Sequence, residues 1–407
     1  MRLLGATLLG ALLQLAVPGP WSLVTAQSVP GSELNVSLLT FDPGGRVWER
    51  FGHNAIWLHD SATGSDALYD YGRFSFQRPH FILRFIQGRM WYSMGFETNV
   101  AGVVAAYAGQ GRRIWSQELD LTPDQRARLR EFLEWNIRPE HAEYFYDYYR
   151  DNCSTRIRDA LDSVMGGAIR RYANQASGMT WRDETRRLNQ HNAALYSGLL
   201  VALGHPVDAG MSRWEQMFLP MRLREHLDSV RIAGADGVLR PVVKAERMIA
   251  AGGRWPVPER PSSWLVGYLL TGLVLGGLLV ALGRTRGFVP VAMLWALLAA
   301  VLGGLLAWFW LFSQHVATYR NENLLPLNLL SLGLLLLLPG VAFRRARALF
   351  LARRIALALT LLAALGWLLK LLPWFHQHNL EVLALALPLH AGVWLGLERR
   401  ATGFAPS

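Results

Sequence analysis

The sequence predicts two parts of different fold class, an α+β domain outside the cytoplasm followed by an all-α membrane domain of five helices. Three features predict this division: an N-terminal leader, strand-like and then helical patterns over the first two thirds, and long apolar stretches in the last third. We therefore divide the 407 residues into a signal peptide over 1–26, an extracytoplasmic domain with a helical extension over 27–260, and a membrane domain over 261–407.

The first 26 residues have the form of a secretory signal peptide. Arg2 precedes an apolar run over 3–17, a Pro/Gly break follows, and the small residues that end at Ala26 suit cleavage after that position. The run is short for a membrane span, although a retained N-terminal anchor is the alternative. Both interpretations place the chain that follows outside the cytoplasm.

Strand patterns open the extracytoplasmic domain. Residues 34–39 alternate between apolar and polar side chains, which is typical of a strand with one buried face. Residues 51–73 are predicted to form a β-hairpin, because two apolar segments flank a cluster of turn-forming residues at 60–65. The beginning of the domain is therefore expected to be a sheet.

Helical patterns follow the strands. Thr122 and Gln125 have capping-box spacing, with a proline at the first helical position, and apolar residues continue at helical intervals. A second helix is predicted to begin at Asn152 or Cys153 and to reach Gly166. The segment 170–230 is expected to be helical and irregular, and prolines after it predict a stiff linker.

Five apolar stretches follow that linker, each near the roughly 20 residues required to cross a bilayer core. They cover 264–282, 289–312, 325–343, 355–373 and 382–398. With the first domain outside, every second loop must be cytoplasmic. Those loops carry the arginine clusters at 284–286, 344–354 and 399–400, as the positive-inside rule requires. The sequence thus predicts a multi-pass protein of the bacterial inner (cytoplasmic) membrane with its first domain in the periplasm.

The positions of the basic residues decide whether the net positive charge indicates a nucleic-acid partner. The formal charge is +11, but much of it lies in the cytoplasmic clusters, so no nucleic-acid partner is expected. The two outward loops, 313–323 and 374–379, are rich in His, Asn and aromatic residues. Polar caps with interfacial aromatics would explain them, except that Asn328 and Lys370 lie just inside apolar stretches, where polar groups are costly.

Cys153 is the only cysteine, and an exported chain with one cysteine cannot form an intramolecular disulfide. The thiol is therefore either buried and inert or reactive. At a helix N-terminus, unpaired N–H groups and the helix dipole favour the thiolate and can stabilise an oxyanion. A thiol nucleophile also needs a base. His53 is the best candidate, because it opens an apolar strand directly after Gly52.

Two segments carry a family resemblance: ERFGHNAIWLHDSATGSDALYDYGRFSFQRPHFILRFIQGRMWYSMG and YFYDYYRDNCSTRIRDAL. They are similar to the exported domain of the Lnb-type lipoprotein N-acyltransferases, whose fold resembles a circularly permuted papain-like (NlpC-type) domain. Members also carry a five-span membrane domain. The resemblance implies an α+β papain-like fold for the first domain. It also pairs His53 with Cys153, because the histidine strand precedes the cysteine helix in such permuted folds.

The resemblance implies a cysteine-dependent acyltransferase. An acyl group would pass from a membrane phospholipid to a thioester on Cys153, with His53 as base, and then to the N-terminal amine of a diacylglyceryl lipoprotein. A third polar group usually orients the imidazole in such enzymes. Strand alternation allows only one of Asp70 and Tyr71 to face His53, and the sequence leaves that choice open. Asn152, next to the thiol, is the other expected supporting residue.

The expected partners are a phospholipid donor and a lipoprotein acceptor, without a cofactor or a metal. The outward loops lack an assembled ligand spacing such as HExxH. They are expected to line the mouth of a lipid-accessible cavity with His315, Asn321, Asn323, Asn328, His376, His378 and Asn379. Two rival functions stay open: a membrane-anchored papain-like peptidase or amidase acting on cell-wall peptides, and a non-catalytic membrane scaffold.

Aromatic residues and arginines alternate over 74–92, and this stretch allows two interpretations. A core face is the default for most of the aromatic side chains. The interspersed arginines also suit a surface that lies on anionic headgroups or shapes an acyl groove. We expect the core interpretation to hold for most of these side chains.

Overall fold

The computed structural model describes residues 29–233, 236–253 and 255–402, so the predicted signal peptide lies outside the described residues. The strands are β1 Leu34–Phe41, β2 His53–Asp60, β3 Ser65–Arg73, β4 Trp91–Glu97, β5 Ile114–Leu119, β6 Glu143–Phe145, β7 Ala176–Thr180, β8 Gly210–Ser212, β9 Arg231–Ala233, β10 Leu239–Pro241 and β11 Val243–Ala250. The helices are α1 Phe81–Gln87, α2 Val100–Gly109, α3 Pro123–Asn136, α4 Pro139–Ala142, α5 Cys153–Val164, α6 Ala168–Ala173, α7 Trp181–Asn189, α8 Ala193–Ala202, α9 Arg213–Gln216, α10 Pro220–Leu227, α11 Leu265–Leu282, α12 Phe288–Phe312, α13 Leu330–Ala342, α14 Ala346–Leu369 and α15 Leu380–Ala401.

Seven of these strands form one antiparallel sheet in the order β11–β5–β1–β2–β3–β4–β6. β2 and β3 make the predicted hairpin, with Asp60 paired to Ser65 at the turn and Ala55 paired to Asp70 towards the other end. Helices cover the sheet, so the α+β class of the first domain is confirmed. The papain-like permutation stays a prediction.

Both faces of the sheet are covered by helices, because the central strands carry apolar residues on both sides. Leu38 and Ile56 face a cluster that includes Leu129 of α3 and Ile157 of α5. The other face buries residues such as Leu39, Phe41, Ala55 and Leu68 against α2. The sheet is therefore the middle of three layers, and the start of β2 lies between two packed faces.

The two long helices predicted in this domain form where their capping signals lie. Thr122 and Gln125 exchange hydrogen bonds of 2.9 and 3.3 Å at the start of α3, as the capping-box spacing predicts. α5 begins at Cys153 and buries Ile157 and Leu161. Its apolar stripe packs on β2 and β3, which fixes the direction in which the helix start points.

Four helices of the described residues are long and apolar enough to cross a membrane: α11, α12, α14 and α15. The fifth predicted stretch, 325–343, is helical only as α13, whose 13 residues span about 20 Å, less than the roughly 30 Å of a hydrocarbon core. The helix starts late because residues before it bond locally. Asn328 donates to the carbonyl of Leu325 at 2.9 Å and accepts from the N–H of Leu330 at 3.0 Å. Four spans are thus supported by length and composition, α13 is a shorter apolar helix, and a fifth span stays a prediction.

Glycines allow α11 and α15 to pack closely. A side chain at Gly276 would lie 2.3 Å from the carbonyl oxygen of Pro388, and one at Gly392 would lie 2.4 Å from the carbonyl oxygen of Gly276. Small residues at such crossings let helix backbones approach in a membrane, where apolar side chains gain nothing by leaving lipid. The first and last long apolar helices therefore form one tight pair.

The predicted cytoplasmic arginines lie together at one end of this bundle. Arg284 donates to the carbonyl of Arg399, and Arg400 donates to the carbonyl of Thr285 at 2.9 Å. Arg353 pairs with Glu398 nearby. The grouping at one end agrees with the topology that the loop charges predict.

Candidate active site

Cys153 is the first residue of α5, and Asn152 caps that helix. The side-chain oxygen of Asn152 accepts hydrogen bonds from the N–H groups of Ser154 and Thr155, at 2.9 and 3.0 Å, and the Thr155 hydroxyl accepts from the Asn152 N–H. These bonds occupy three of the donors that a helix start leaves free. Over the described part of the chain, the N–H of Cys153 itself has no partner. It is therefore the donor that remains for an oxyanion.

Asn152 also holds the helix start in place through its amide nitrogen. This atom donates to the carbonyls of Tyr148 at 2.8 Å and Phe218 at 2.9 Å. One side chain thus joins the loop before the cysteine, the helix after it and the segment near 218. Asn152, the predicted supporting residue, therefore fixes the start of α5 and with it the position of Cys153. Its side chain bonds to backbone groups and does not hydrogen-bond to His53.

His53 lies at the first position of β2, between Cys153 and Asp70. Its Nε2 atom is 3.0 Å from Oδ2 of Asp70 on the neighbouring strand, and its side chain also lies close enough to Cys153 for the two groups to interact electrostatically. The ring stacks on Tyr107 of α2, with the ring planes 4° apart and their centres at 6.1 Å. The imidazole is therefore held by polar groups at its edge and by an aromatic ring on its face.

Asp70 is itself fixed from a second side. Its Oδ1 atom accepts a hydrogen bond of 2.8 Å from Nε of Arg73, whose guanidinium also donates to Glu97 at 2.8 Å. Asp70 is only 14% exposed at its side chain, so the ion pair is partly shielded from water. A row of alternating acidic and basic groups thus runs from Glu97 through Arg73 and Asp70 to His53.

The choice between Asp70 and Tyr71 is clear from the geometry. Asp70 shares the face of His53, whereas Tyr71 points to the opposite face, where its hydroxyl donates to Asn136 at 2.6 Å. Tyr71 is 1% exposed and belongs to the core that α3 and α5 cover. Tyr71 therefore packs beneath α5. Of the two candidates, Asp70 is the one that hydrogen-bonds to His53.

A β-bulge at Gly72 explains how these groups meet. The register of β3 on β4 shifts between Tyr71 and Arg73, so Gly72 is the extra residue, and its φ of +94° favours glycine. The extra residue returns Arg73 to the face of Asp70. A Cβ at Gly72 would lie 3.5 Å from Cβ of Cys153. This is an ordinary van der Waals distance, so it is the positive φ and not a lack of space that requires glycine beside the cysteine.

His53 and Asp70 each stabilise the charged form of the other. Burial lowers the pKa of His53, but the charge interaction with Tyr107 and the hydrogen bonds to Asp70 and Cys153 raise the pKa well above its ordinary value of 6.5. Burial raises the pKa of Asp70, whereas its hydrogen bond and charge interaction with His53 lower the pKa below 3.8. Asp70 therefore stays ionised beside a strongly basic imidazole, and His53 is well suited to accept the thiol proton.

Tyrosines line the other side of the cysteine. Tyr146 is 3.8 Å from the position of a Cβ on Gly72, and its ring stacks on Tyr92 at 4.1 Å between centres. Burial raises the pKa of Tyr92 to about 12, and burial together with the charge interaction with Cys153 raises the pKa of Tyr144 and Tyr146. These phenols stay neutral, so the wall beside the thiol is aromatic and uncharged.

Three of the residues predicted to line a cavity mouth, Asn321, Asn323 and Asn379, lie elsewhere. Each is at most 2% exposed. The amides of Asn321 and Asn323 donate to the carbonyls of residues 200–202, at the end of α8, and Asn379 donates to the side-chain oxygen of Asn323 at 2.8 Å. They satisfy carbonyls that a helix end leaves unpaired. Their place is a buried junction between the two domains, not an open mouth.

The predicted histidines His376 and His378 contact the helical extension at the same junction. A ring nitrogen of His376 is 3.3 Å from a ring nitrogen of His205. The backbone N–H of His378 donates to Asp208 at 3.1 Å, and Asp208 is in turn paired with the buried guanidinium of Arg182. Both residues therefore contact the other domain, while their side chains stay exposed at its edge.

His315 and Asn328 complete the predicted set. Nε2 of His315 lies 2.6 Å from the carbonyl oxygen of Phe85 in α1, and its ring packs on Tyr148 at 6.3 Å between centres. Asn328 bonds only to backbone at the start of α13. Of the seven predicted residues, His315 is the one that connects to Cys153 through a row of aromatic rings.

Sequence reasoning missed several groups that the structure adds to the site: Gly72, Arg73, Tyr107 and Tyr146. The glycine inside a strand pattern was a usable signal, because such a residue often marks a bulge or a close approach of another chain segment. Tyr107 carried no comparable signal, since α2 reaches His53 only through tertiary packing. Across residues 29–233, 236–253 and 255–402, no three His, Cys, Asp or Glu side chains group as metal ligands.

Comparison with known proteins gives two matches, in the same order as the two parts of the fold. Residues 24–187 match the family model of the Lnb N-terminal periplasmic domain, and residues 260–399 match that of the Lnb transmembrane domain. The first match contains Cys153, His53 and Asp70. No curated protein and no solved structure gives a significant match.

Proposed function

Because the chain belongs to the Lnb family, with a periplasmic domain followed by a transmembrane domain, we propose that it transfers a fatty acyl group from phospholipid to lipoprotein. The acyl group passes through a thioester on Cys153 to the N-terminal amine of a diacylglyceryl lipoprotein. The reaction takes place at the periplasmic face of the inner membrane. The observation that carries the proposal is the position of His53 inside the matched periplasmic domain, where it is hydrogen-bonded to Asp70 and interacts with the thiol of Cys153.

The first half-reaction forms the thioester. The Cys153 proton passes to His53, and the sulfur attacks the carbonyl carbon of a phospholipid ester. The N–H of Cys153, which has no partner in the described chain, donates to the oxyanion of the tetrahedral intermediate. Collapse breaks the bond to the glycerol oxygen, which takes the proton from His53. The products are a lysophospholipid and an acyl thioester on Cys153.

The second half-reaction transfers the acyl group to nitrogen. The uncharged α-amine of the lipoprotein's diacylglyceryl-cysteine attacks the thioester carbonyl and gives a proton to His53. The carbon–sulfur bond then breaks, and His53 returns that proton to the leaving sulfur. A thioester suits this step because amines attack it readily. Asp70 stabilises the imidazolium form of His53 in both halves.

Labelled phospholipid tests this proposal directly. Purified full-length protein is incubated with phospholipid that carries a labelled acyl chain, and the expected product is a hydroxylamine-sensitive label on the protein. Cys153 is the only cysteine, so any such label reports this thiol alone. A diacylglyceryl peptide with a free amine should then remove the label and become N-acylated, whereas an N-acetylated peptide should not.

The control protein is the Cys153→Ala variant, which should carry no label and yield no N-acylated peptide. Absence of label on wild-type protein that is active in lipoprotein maturation would contradict the mechanism. Hydrolysis of cell-wall peptides without lipid label would favour the peptidase or amidase alternative, with water as acceptor. Full function of Cys153→Ala in cells would favour a scaffold.

A further inference from the structure

α1 is an apolar helix that the periplasmic domain leaves uncovered. None of its residues is buried, and the exposed fractions of Ile82, Leu83 and Phe85 are 74%, 50% and 42%. The core interpretation of this stretch is therefore wrong for α1, although Met90 and Tyr92 after it are buried. An uncovered apolar helix of this kind needs a partner other than its own domain.

α1 lies directly beside the outward end of α12, one of the helices long enough to cross the membrane. The N–H of Gln314 donates to the carbonyl of Gln87 at 2.8 Å, and His315 contacts the carbonyl of Phe85. Just before this junction, α12 exposes Leu311 and Phe312, at 69% and 64%. The uncovered face of α1 is thus next to the surface that α12 presents to lipid.

A groove with two free arginines adjoins the helix. It has a volume of about 480 Å³ and is lined by Arg84, Gln87, Arg89, Trp91, Phe145 and Gln314. Such a volume is within the ~300–1,000 Å³ of small-molecule sites. Neither Arg84 nor Arg89 has a side-chain partner in the described chain, and no carboxylate lines the groove. Two unpaired guanidiniums in a groove that also contains the ring pair Trp91–Phe145 suit a phosphate, which Arg binds through paired hydrogen bonds.

A row of rings connects this place with the cysteine. The ring of Phe85 is 5.9 Å from that of His315, His315 is 6.3 Å from Tyr148, and Tyr148 is 5.5 Å from Tyr146. Tyr146 borders the space between Gly72 and Cys153. The row consists of aromatic rings along its length. It therefore offers a continuous aromatic surface from the membrane side of the domain to the thiol.

We propose that α1 lies in the periplasmic leaflet of the membrane and that Arg84 and Arg89 bind the phosphate of a glycerophospholipid there. The groove is the entry site for this lipid, and the aromatic row is the surface along which the lipid moves until its ester carbonyl reaches Cys153. Basic residues beside an apolar helix are the usual features of binding to a lipid surface. That the bound lipid is the acyl donor rests on the proposed function, whereas the phosphate site itself does not.

Cross-linking with a photoactivatable phospholipid tests the site without turnover. The full-length Cys153→Ala protein is irradiated with this lipid in mixed micelles, and the labelled peptides are mapped. Label is expected in residues 81–92. Replacing Arg84 and Arg89 together by Gln should reduce that label by about tenfold. Replacing both by Lys, which keeps the charge, should restore much of it. Arg128→Gln, at an exposed position on α3, is the matched control and should change nothing.

Three further comparisons decide the nature of the ligand. A photoactivatable diacylglycerol, which lacks the phosphate, should label residues 81–92 weakly in wild-type and double-Gln proteins alike. Free glycerol phosphate at the same concentration should not displace the phospholipid. Equal labelling of the double-Gln protein would overturn the proposal, and so would full displacement by glycerol phosphate, which would indicate a soluble ligand. If this labelling behaves as expected while no thioester forms on active wild-type protein, the proposed function fails and the phosphate site stands.

Discussion

Asp70 holds the imidazole of His53 across two neighbouring strands, with 3.0 Å between Oδ2 and Nε2. The contact is possible because both residues lie on one face of the β2–β3 hairpin. It is stabilised because Arg73, returned to that face by the bulge at Gly72, binds the second carboxylate oxygen. The carboxylate therefore has one orientation available, and so does the ring that it contacts. Several consequences of this arrangement can be measured.

Replacing Asp70 by Asn should slow acyl transfer on the order of 10²-fold or more while the protein stays folded. Asn keeps the shape but removes the charge that stabilises the imidazolium. The rate of thioester formation measures the effect. Asp66→Asn is a matched control, because Asp66 bonds to His59 at 2.9 Å in the same hairpin, far along the strands from Cys153. Equal rate losses in the two variants would contradict a specific role for Asp70.

The stability that His53 contributes should depend on pH in a defined direction. Its pKa in the folded protein is raised above 6.5, so its contribution is fully present below about pH 6.5 and is lost as the pH rises through the folded value. Because the pKa of Asp70 is lowered below 3.8, its carboxylate is protonated, and its ion pair with His53 is lost, only below about pH 3.8. The advantage of wild type over His53→Gln in thermal unfolding should therefore be greatest between these limits. Scanning fluorimetry in one detergent across this range measures it, and an advantage that grows above pH 6.5 would refute the assignment.

A methyl group at Gly72 should affect both stability and catalysis. Gly72→Ala forces an alanine to φ near +94°, which should cost roughly 1–2 kcal/mol, and places a carbon 3.5 Å from Cβ of Cys153. Gly64→Ala isolates the backbone effect, because Gly64 has φ of +70° and open space around it. Both variants should unfold at lower temperature. Only Gly72→Ala should also form thioester more slowly per folded molecule, because relief of the strain would shift the bulge that places Arg73 beside Asp70. Identical rates would exclude this effect.

The junction between the domains should depend on one buried ion pair. Arg186 of α7 lies 3.0 Å from Glu381 of α15, and the Glu381 side chain is 4% exposed. Glu381→Gln leaves that guanidinium without its counter-charge and should cost about 3 kcal/mol. Glu398→Gln breaks the more exposed pair with Arg353 and should cost less than about 1 kcal/mol. Chemical denaturation of the full-length protein compares the two losses, and similar values would show that the buried pair does not couple the domains.

Local signals predicted the parts of the site that local structure builds. The hairpin around His53, the cap of α3 and the start of α5 at Cys153 follow from turn residues, capping pairs and apolar spacing, which act over a few residues. The sequence also narrowed the partner of His53 to Asp70 or Tyr71. Strand alternation could not decide further, because which face carries His53 depends on what α2 and α5 cover.

Features that depend on distant packing could not be predicted in this way. The amides of Asn321 and Asn323 looked like groups of an open loop, because their partners, the carbonyls at the end of α8, lie more than a hundred positions earlier. α13 is shorter than its apolar stretch because a side chain, Asn328, bonds the backbone before it. α1 was assigned to the core because hydropathy alone does not distinguish protein contact from lipid contact.

The position of β11 imposes an order on how this protein is made. β11 pairs with β5 at the edge of the sheet, yet it follows the whole helical extension and lies only a short linker before α11. Until Val243–Ala250 has been exported, the backbone of β5 has an open edge that other chains can join. Because the linker to α11 is short, the sheet can close only when nearly the whole domain before the first membrane helix has been exported. A stall in export before β11 would therefore leave the edge of β5 unpaired and open to other chains.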